Sequence, residues 1–370
     1  MPHSEAGGEL TVPTRRSDTI PLAVGGLPSP ESIFTIHCVS EIVRRTQGQV
    51  NVIPFNTGDD SERLAEANSG EPTIPFFDTP DGQAREALLA TQAPIILITG
   101  DFTETARFCM VARDLDALQA ARFVSQSFSC LEPLYRHNGV RCVAVDGKAN
   151  LADWIDQVAA WLGLQPSTWQ TVRQQMLSDY AAWPTAEAAI HALVQFADTA
   201  SADREQLPTA TLTLFETLGQ CYHSGSIDSI VWPADSILEP GDPAFPVTDA
   251  ISLTGPARML TFGPFLHLPP GHWNARYHFE VDQHLAGNLM EFDIVNGTNV
   301  LVSHRVLVED AGKFGFDCEF DMQESRLPVE NRAILAEGSI GGFFRPAGIW
   351  LNRDRPSVAQ GINADTSNDQ

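Results

Sequence analysis

Near residue 231 the hydrophobic period of this chain changes, and no single sheet or bundle accommodates both halves. Before that point, short apolar runs such as "TIPLAV", "PIILIT" (94–99) and "GVRCVAVDG" (139–147) are separated by stretches with apolar residues at three-to-four spacing. Continuous runs of this kind read as strands buried on both faces of a parallel sheet, and the spaced stretches as its crossover helices. Beyond it the period is two. Trp273, Ala275, Tyr277, Phe279 and Val281 alternate with Asn274, Arg276, His278, Glu280 and Asp282. Met290, Phe292 and Ile294 alternate with Glu291, Asp293 and Val295, and Phe314, Phe316, Cys318 and Phe320 with Gly315, Asp317, Glu319 and Asp321. Such strands, broken by "LPPG", "VNGTN" and "EDAGK", predict an antiparallel β-sandwich with one wet face per sheet.

The helices of the first half are legible from their caps and stripes. "ESIFTIHCVSEIVRR" places Ile33, Ile36, Val39 and Val43 on one face, and "TETARFCMVARDL" continues the pattern after the second run. Asn150 is placed to cap a helix whose Leu151, Trp154, Ile155, Val158, Trp161 and Leu162 share one side, with Gly163 at its end. Segments 167–178 and 185–222 also read as helical. The expected fold is a three-layer α/β parallel sheet followed by a separate all-β antiparallel sandwich. The boundary falls in "WPADSILEPGDPAFP" (232–246). Disordered termini are expected at 1–18 and 354–370, around an α/β domain with a helical extension at 19–230 and a sandwich at 231–353.

A formal net charge of −24 repels nucleic acid, anionic membranes and sulfated or phosphorylated ligands unless a local basic pocket compensates. Residues 1–19 hold no apolar core of signal-peptide length, and no stretch reaches the length of a membrane span. The six cysteines form no CxxC pair and are expected reduced, in a cytoplasmic protein.

"GGLPSPESIFTIHCVSEIVRR" (25–45) has the layout of a phosphate-binding loop, a strand turning at Gly25-Gly26 into a helix. Together with "PIILITGDFTETARFCMVARDL" and "CVAVDGKANLADWIDQVAAWLGLQPSTWQTVRQQM", it makes residues 19–178 resemble the P-loop sulfotransferases. That family transfers a sulfuryl group from 3′-phosphoadenosine 5′-phosphosulfate. The resemblance implies a loop reading P-(R/K)-S-G-(S/T)-(T/S). Here Pro28 matches, Ser29 replaces the cation, Pro30 the serine and Glu31 the glycine; Ser32 keeps one hydroxyl and Ile33 replaces the other. Gly100 stands at the family's 3′-phosphate arginine, with Phe108 and Cys109 near its serine and Arg107 close by. Gly26, Pro28, Ser29 and Ser32 are thus expected to be a vestigial cofactor loop, with no cofactor bound. A plain strand–helix turn and an active rearranged site, with His37 or His137 as base, are the alternatives.

"MLTFGPFLHLPPGHWNARYHFEV" is similar to jelly-roll sandwiches of the carbohydrate-binding-module kind. That resemblance implies glycan binding by exposed aromatics, and the candidates are Trp273, Tyr277 and Trp350. Trp273 and Tyr277 sit with the apolar set and are expected to pack in the core ahead of stacking on a ligand, and core packing is an equal reading for Trp350 and Phe344. The carboxylates Glu291, Asp293, Asp317, Glu319 and Asp321 lack calcium-loop spacing, and His267, His272, His278 and His284 lack zinc spacing, so no metal is expected. Arg305, Arg326 and Arg332 are expected to balance neighbouring carboxylates. The sequence reads as a non-catalytic accessory or binding protein with a glycan or protein partner, in polysaccharide or glycoconjugate metabolism. A divergent sulfotransferase or other transferase acting on a glycan, and a protein-interaction scaffold, are the alternatives.

Overall fold

The computed structural model describes residues 20–67, 71–146, 148–194, 207–223, 225–282 and 287–354. The expected tails, apart from Asp354, lie outside these residues, as does His284. The chain divides into two compact units, Met1–Gly100 with Leu134–Glu205, and Asp101–Pro133 with Gln206–Gln370. This differs from a single cut at 230/231, because the segment 101–133 groups with the sandwich.

In the first unit, β1 (Ala23–Gly26), β2 (Asn51–Pro54), β3 (Thr73–Phe77), β4 (Ile95–Thr99) and β5 (Val140–Ala144) form a parallel sheet in the order β2-β3-β1-β4-β5. The helices of this unit are α1 (Pro30–Gln47), α2 (Asp60–Ala67), α3 (Gly82–Ala90), α6 (Leu151–Trp161), α7 (Pro166–Asp179) and α8 (Ala186–Val194). One core joins Leu22, Val24, Ile74, Ile96, Ile98 and Val143 of the sheet side to α1, α6, α7 and α8. The Asn150 cap is present, its side chain accepting from Ala152 N, and Gly163 takes φ 71 just past the helix. On α1 the buried stripe is Phe34, Cys38, Val39, Ile42 and Val43. Ile33, expected on that stripe, is 44% exposed, because Phe34 turns inward to meet Trp154, at 6.5 Å between ring centroids.

In the second unit, α4 (Phe102–Arg113), α5 (Ala117–Tyr135, of which 117–133 belong here) and α9 (Thr209–Cys221) accompany the strands. These are β6 (Ser229–Trp232), β7 (Leu238–Glu239), β8 (Phe245–Pro246), β9 (Ile251–Ser252), β10 (Arg258–Thr261), β11 (Pro264–Leu266), β12 (Gly271–Asp282), β13 (Asn288–Asn296), β14 (Asn299–Val308), β15 (Gly312–Met322), β16 (Val329–Leu335) and β17 (Phe343–Arg353). They build two antiparallel sheets, β10-β16-β13-β14 with β11 on β16, and β15-β12-β17-β6 with β9 on β17. β7 and β8 make a separate ribbon. The apolar half of the period-two pattern fills the interior: Trp273, Tyr277, Phe279, Met290, Phe292, Cys318 and Phe320 are all buried.

Backbone groups of two loops explain why α5 belongs to this unit. Arg122 Nε donates to Pro264 O at 2.7 Å, Gln126 Nε2 to Arg326 O at 3.0 Å and Ser129 Oγ to His267 O at 2.9 Å. Ser125 Oγ accepts from His267 N at 3.2 Å, and Tyr222 Oη donates to His267 O at 2.6 Å. Buried main-chain groups require such partners, and these side chains supply them.

Candidate functional site

The loop after β1 lies at the carboxyl end of the central strand, where open parallel sheets commonly hold ligands. A Cβ on Gly26 would lie 2.6 Å from Ser32 Oγ and 2.8 Å from Ile98 O, so close packing demands glycine there. The loop closes on itself. Ser29 caps α1, accepting from Ser32 N at 3.3 Å, and the two hydroxyls lie 3.4 Å apart. Both serines are buried, Pro30 supplies no N–H, and Glu31 adds a negative charge to the first turn. After β2 and β3, Asp60 accepts from the N–H groups of Asn56 and Thr57, and Asp81 from those of Ala84 and Gly58. That end of the sheet carries carboxylates where a phosphate site needs cations.

Each candidate base has a hydrogen-bond partner. His37 Nε2 lies 2.9 Å from Tyr180 Oη, linking α1 to α7, and burial lowers its pKa while pushing Tyr180 up to about 12. His137 Nδ1 accepts from Gly139 N at 3.1 Å in an exposed turn. Arg107 pairs with Glu104 at 3.1 Å.

In the sandwich, two of the three candidate aromatics are removed from solvent. Trp273 is 0% exposed and its indole N–H donates to Pro269 O at 3.0 Å. Tyr277 is buried and stacks on Phe316, with centroids 4.8 Å apart. Both are core residues, because they occupy the inward parity of β12; Phe344 is core as well. Trp350 differs. It is 37% exposed, at outward parity between buried Ile349 and Leu351.

Around Trp350 the sheet β15-β12-β17-β6 presents an ordered polar face. Asn274 stands between Glu319 and Asn352, Arg276 between Asp317 and Trp350, and His278 between Gly315 and Gly348. Val231 of β6 lies on the far side of Trp350. The His278 and Trp350 rings meet edge to face at 4.5 Å. A Cβ on Gly348 would lie 3.6 Å from the indole ring and 3.0 Å from Trp232 O, at φ 116, so this close approach requires glycine beside the tryptophan. Arg276 is held bidentately by Asp317 at 2.7 and 2.9 Å, which lowers the pKa of that carboxylate. His272 contacts Asp321 at 2.8 Å and Glu319 at 3.7 Å, and its pKa is raised, chiefly by the hydrogen bond to Asp321. The cations of this stretch are thus compensated, and carboxylates surround it.

On the other sheet Glu291 binds Arg305 at 2.7 Å and Arg332 binds Glu330 at 2.7 Å. Asp293 is buried. Among the described residues no three His, Cys, Asp or Glu side chains gather as a metal-binding group. Sequence reasoning had the wet-face residues Asn274, Arg276 and His278 as the polar half of a strand, without assigning them to a site. The parity of Trp350 was hidden because "GIWL" is apolar throughout.

No family model matches the sequence, and no curated protein matches it. Among solved structures, the chain is similar to the EclA C-terminal domain, a sugar-binding protein, at 14% identity over 29% of this chain and 79% of that one, with a TM-score of 0.22. It is also similar to the CBM36-1 domain of a multidomain xylanase from the hindgut metagenome of Trinervitermes trinervoides, at 7% identity over 35% and 100%, TM-score 0.25. A third is TmCBM61 in complex with β-1,4-galactotriose, at 13% identity over 34% and 88%, TM-score 0.22. Each likeness covers about a third of this chain.

Proposed function

We propose that this is a glycan-binding protein whose sandwich holds an uncharged sugar chain on the face centred on Trp350. The observation that carries the reading is the solvent-open indole set among Asn274, Asn352, Arg276 and His278. A pyranose stacks its C–H face on an indole and offers hydroxyls to amides, imidazole and carboxylate at the rim, the mixture of apolar wall and convergent polar groups that small polar ligands require. The chemistry favours a neutral chain. Arg276 is already committed to Asp317, and Glu319 and Asp321 would oppose a uronate or sulfate.

In this proposal the first unit is a non-catalytic partner of sulfotransferase-like ancestry. Its strand order, with β1 central and its loop entering α1, supports the ancestry. The Ser29 cap, Pro30 and Glu31 support the loss of phosphate binding. The six cysteines, four of them buried and none disulfide-bonded, favour a reducing compartment such as the cytoplasm.

Affinity electrophoresis against neutral polysaccharides (xylan, galactan, glucomannan) and against polygalacturonate tests the reading. Retardation by a neutral polymer and none by the polyuronate is expected. Trp350→Ala should weaken binding by roughly 2 kcal/mol, ~30-fold, the value of burying one large aromatic face. Retardation that survives Trp350→Ala would place the site elsewhere.

A further inference from the structure

The four ends of the two sheets are guarded unequally. β10 is short, and β6 has its Val231 N–H taken by Cys221 Sγ at the end of α9. β15 carries Lys313, Asp317, Glu319 and Asp321 at outward positions, charges of the kind that keep an edge from pairing. Among the described residues, β14 is long and carries one outward cation, Arg305, which Glu291 already holds. It ends its sheet, is paired on one side to β13, and spans Asn299–Val308 with the sequence NVLVSHRVLV. Val300 and Leu307 are 56% and 57% exposed, and Val302 and Val306 are part-exposed although they face inward. Its other long-range interruption is one bulge at Leu301, where the register shifts between the Ile294–Val302 and Val295–Val300 pairs.

The strand is also self-complementary. Residues 300–308 read VLV-SHR-VLV, the same apolar triplet on both sides of a polar centre. We propose that β14 pairs antiparallel with β14 of a second copy of this chain about a two-fold axis at His304. His304 then lies opposite the partner's His304, Val302 opposite the partner's Val306, and Ser303 opposite the partner's Arg305. Each apolar residue meets an apolar one, as an isologous interface requires. Two chains of charge −24 repel over most approaches, but this strand contains no acidic residue. Its one strong cation, Arg305, is compensated within its own chain by Glu291 at 2.7 Å. About that axis the regular part of the pairing is residues 302–306 of each strand, and the Leu301 bulge turns the strand away beyond it.

Sedimentation equilibrium on the full chain is the test, with a particle of twice the chain mass expected. Val300→Glu with Leu307→Glu should give a folded monomer that melts where the wild-type chain melts once diluted to monomer, since each side chain is more than half exposed in the single chain. Register is read by crosslinking in a Cys142→Ser background. Opposed residues of antiparallel strands have Cα atoms roughly 4.5–5.5 Å apart, within disulfide reach. His304→Cys should therefore form an intermolecular disulfide on mild oxidation, and Val300→Cys should not. A monomer from micromolar to millimolar concentration, or a dimer indifferent to the two glutamates, overturns the proposal. A crosslink through Val300→Cys in place of His304→Cys overturns the register.

Discussion

Arg353 closes the last strand with its guanidinium withdrawn from water. It donates to Glu132 at 2.5 Å and to Pro270 O at 3.2 Å, lies 3.7 Å from Asp228 and sits over the Trp273 ring at 5.7 Å. Taking the counter-charge away from buried Glu132 should be costly. Arg353→Met is expected to lose about 3–5 kcal/mol in urea unfolding, and adding Glu132→Leu to return most of it, because two apolar groups replace an ion pair at little net cost. His267 gives a pH dependence. Burial lowers its pKa from 6.5 to about 4; the ring N–H donation to Ser325 O at 2.8 Å opposes that fall and the nearby Arg122 charge adds to it. Below pH 6.5 the unfolded chain takes up a proton that the folded chain refuses until about pH 4. This contribution is therefore fully present above pH 6.5 and declines between pH 6.5 and 4, by about 3 kcal/mol in all. The stability gap between wild type and His267→Gln should narrow on going from neutral to acid pH, measured by urea unfolding at each.

At the scale of elements, α5 is fixed by side chains that meet backbone, and its serines are the sensitive points. Ser129→Ala removes one of two donors to His267 O and is expected to cost about 1 kcal/mol, read from the midpoint of chemical unfolding. Legibility also differed by element. α6 announced itself through Asn150, a full apolar side and Gly163, and β12 through the alternation from Trp273 to Asp282. β2 and β3 did not, because "NVIP" and "TIPFF" are short and contain proline. On α1 the expected Val39 and Val43 are buried, but Phe34 takes the place expected for Ile33, since both are apolar and only packing against Trp154 chooses between them. The attachment of α5 could not be read either. It rests on Arg122, Gln126, Ser125 and Ser129 meeting carbonyls and amides far along the chain, and a hydrogen bond to backbone leaves no pattern in side-chain type.

At the scale of the whole molecule, the proposed β14 pairing and the proposed glycan face would reinforce one another. A dimer presents two Trp350 faces, so a polymer can be held at both while a short oligosaccharide is held at one. Bivalent capture raises apparent affinity by ~10²–10⁴ where the spacing permits. The two-glutamate variant should keep its affinity for oligosaccharide and lose the polymer's advantage, measured by calorimetry with each.

The sequence segments of the two units are interleaved, and this sets an order of events at the ribosome. Residues 101–133 emerge long before the loops at 264–268 and 325–327 that receive α5. At about 5–20 residues per second, α5 waits on the order of ten seconds for His267 to be made. During that interval its serine-lined face has no backbone to bind, and the nascent chain is at its most exposed to chaperones and proteases. A gene fragment starting at residue 231 lacks α4, α5 and α9 altogether. It never acquires the groups that the buried carbonyl of His267 was built to meet.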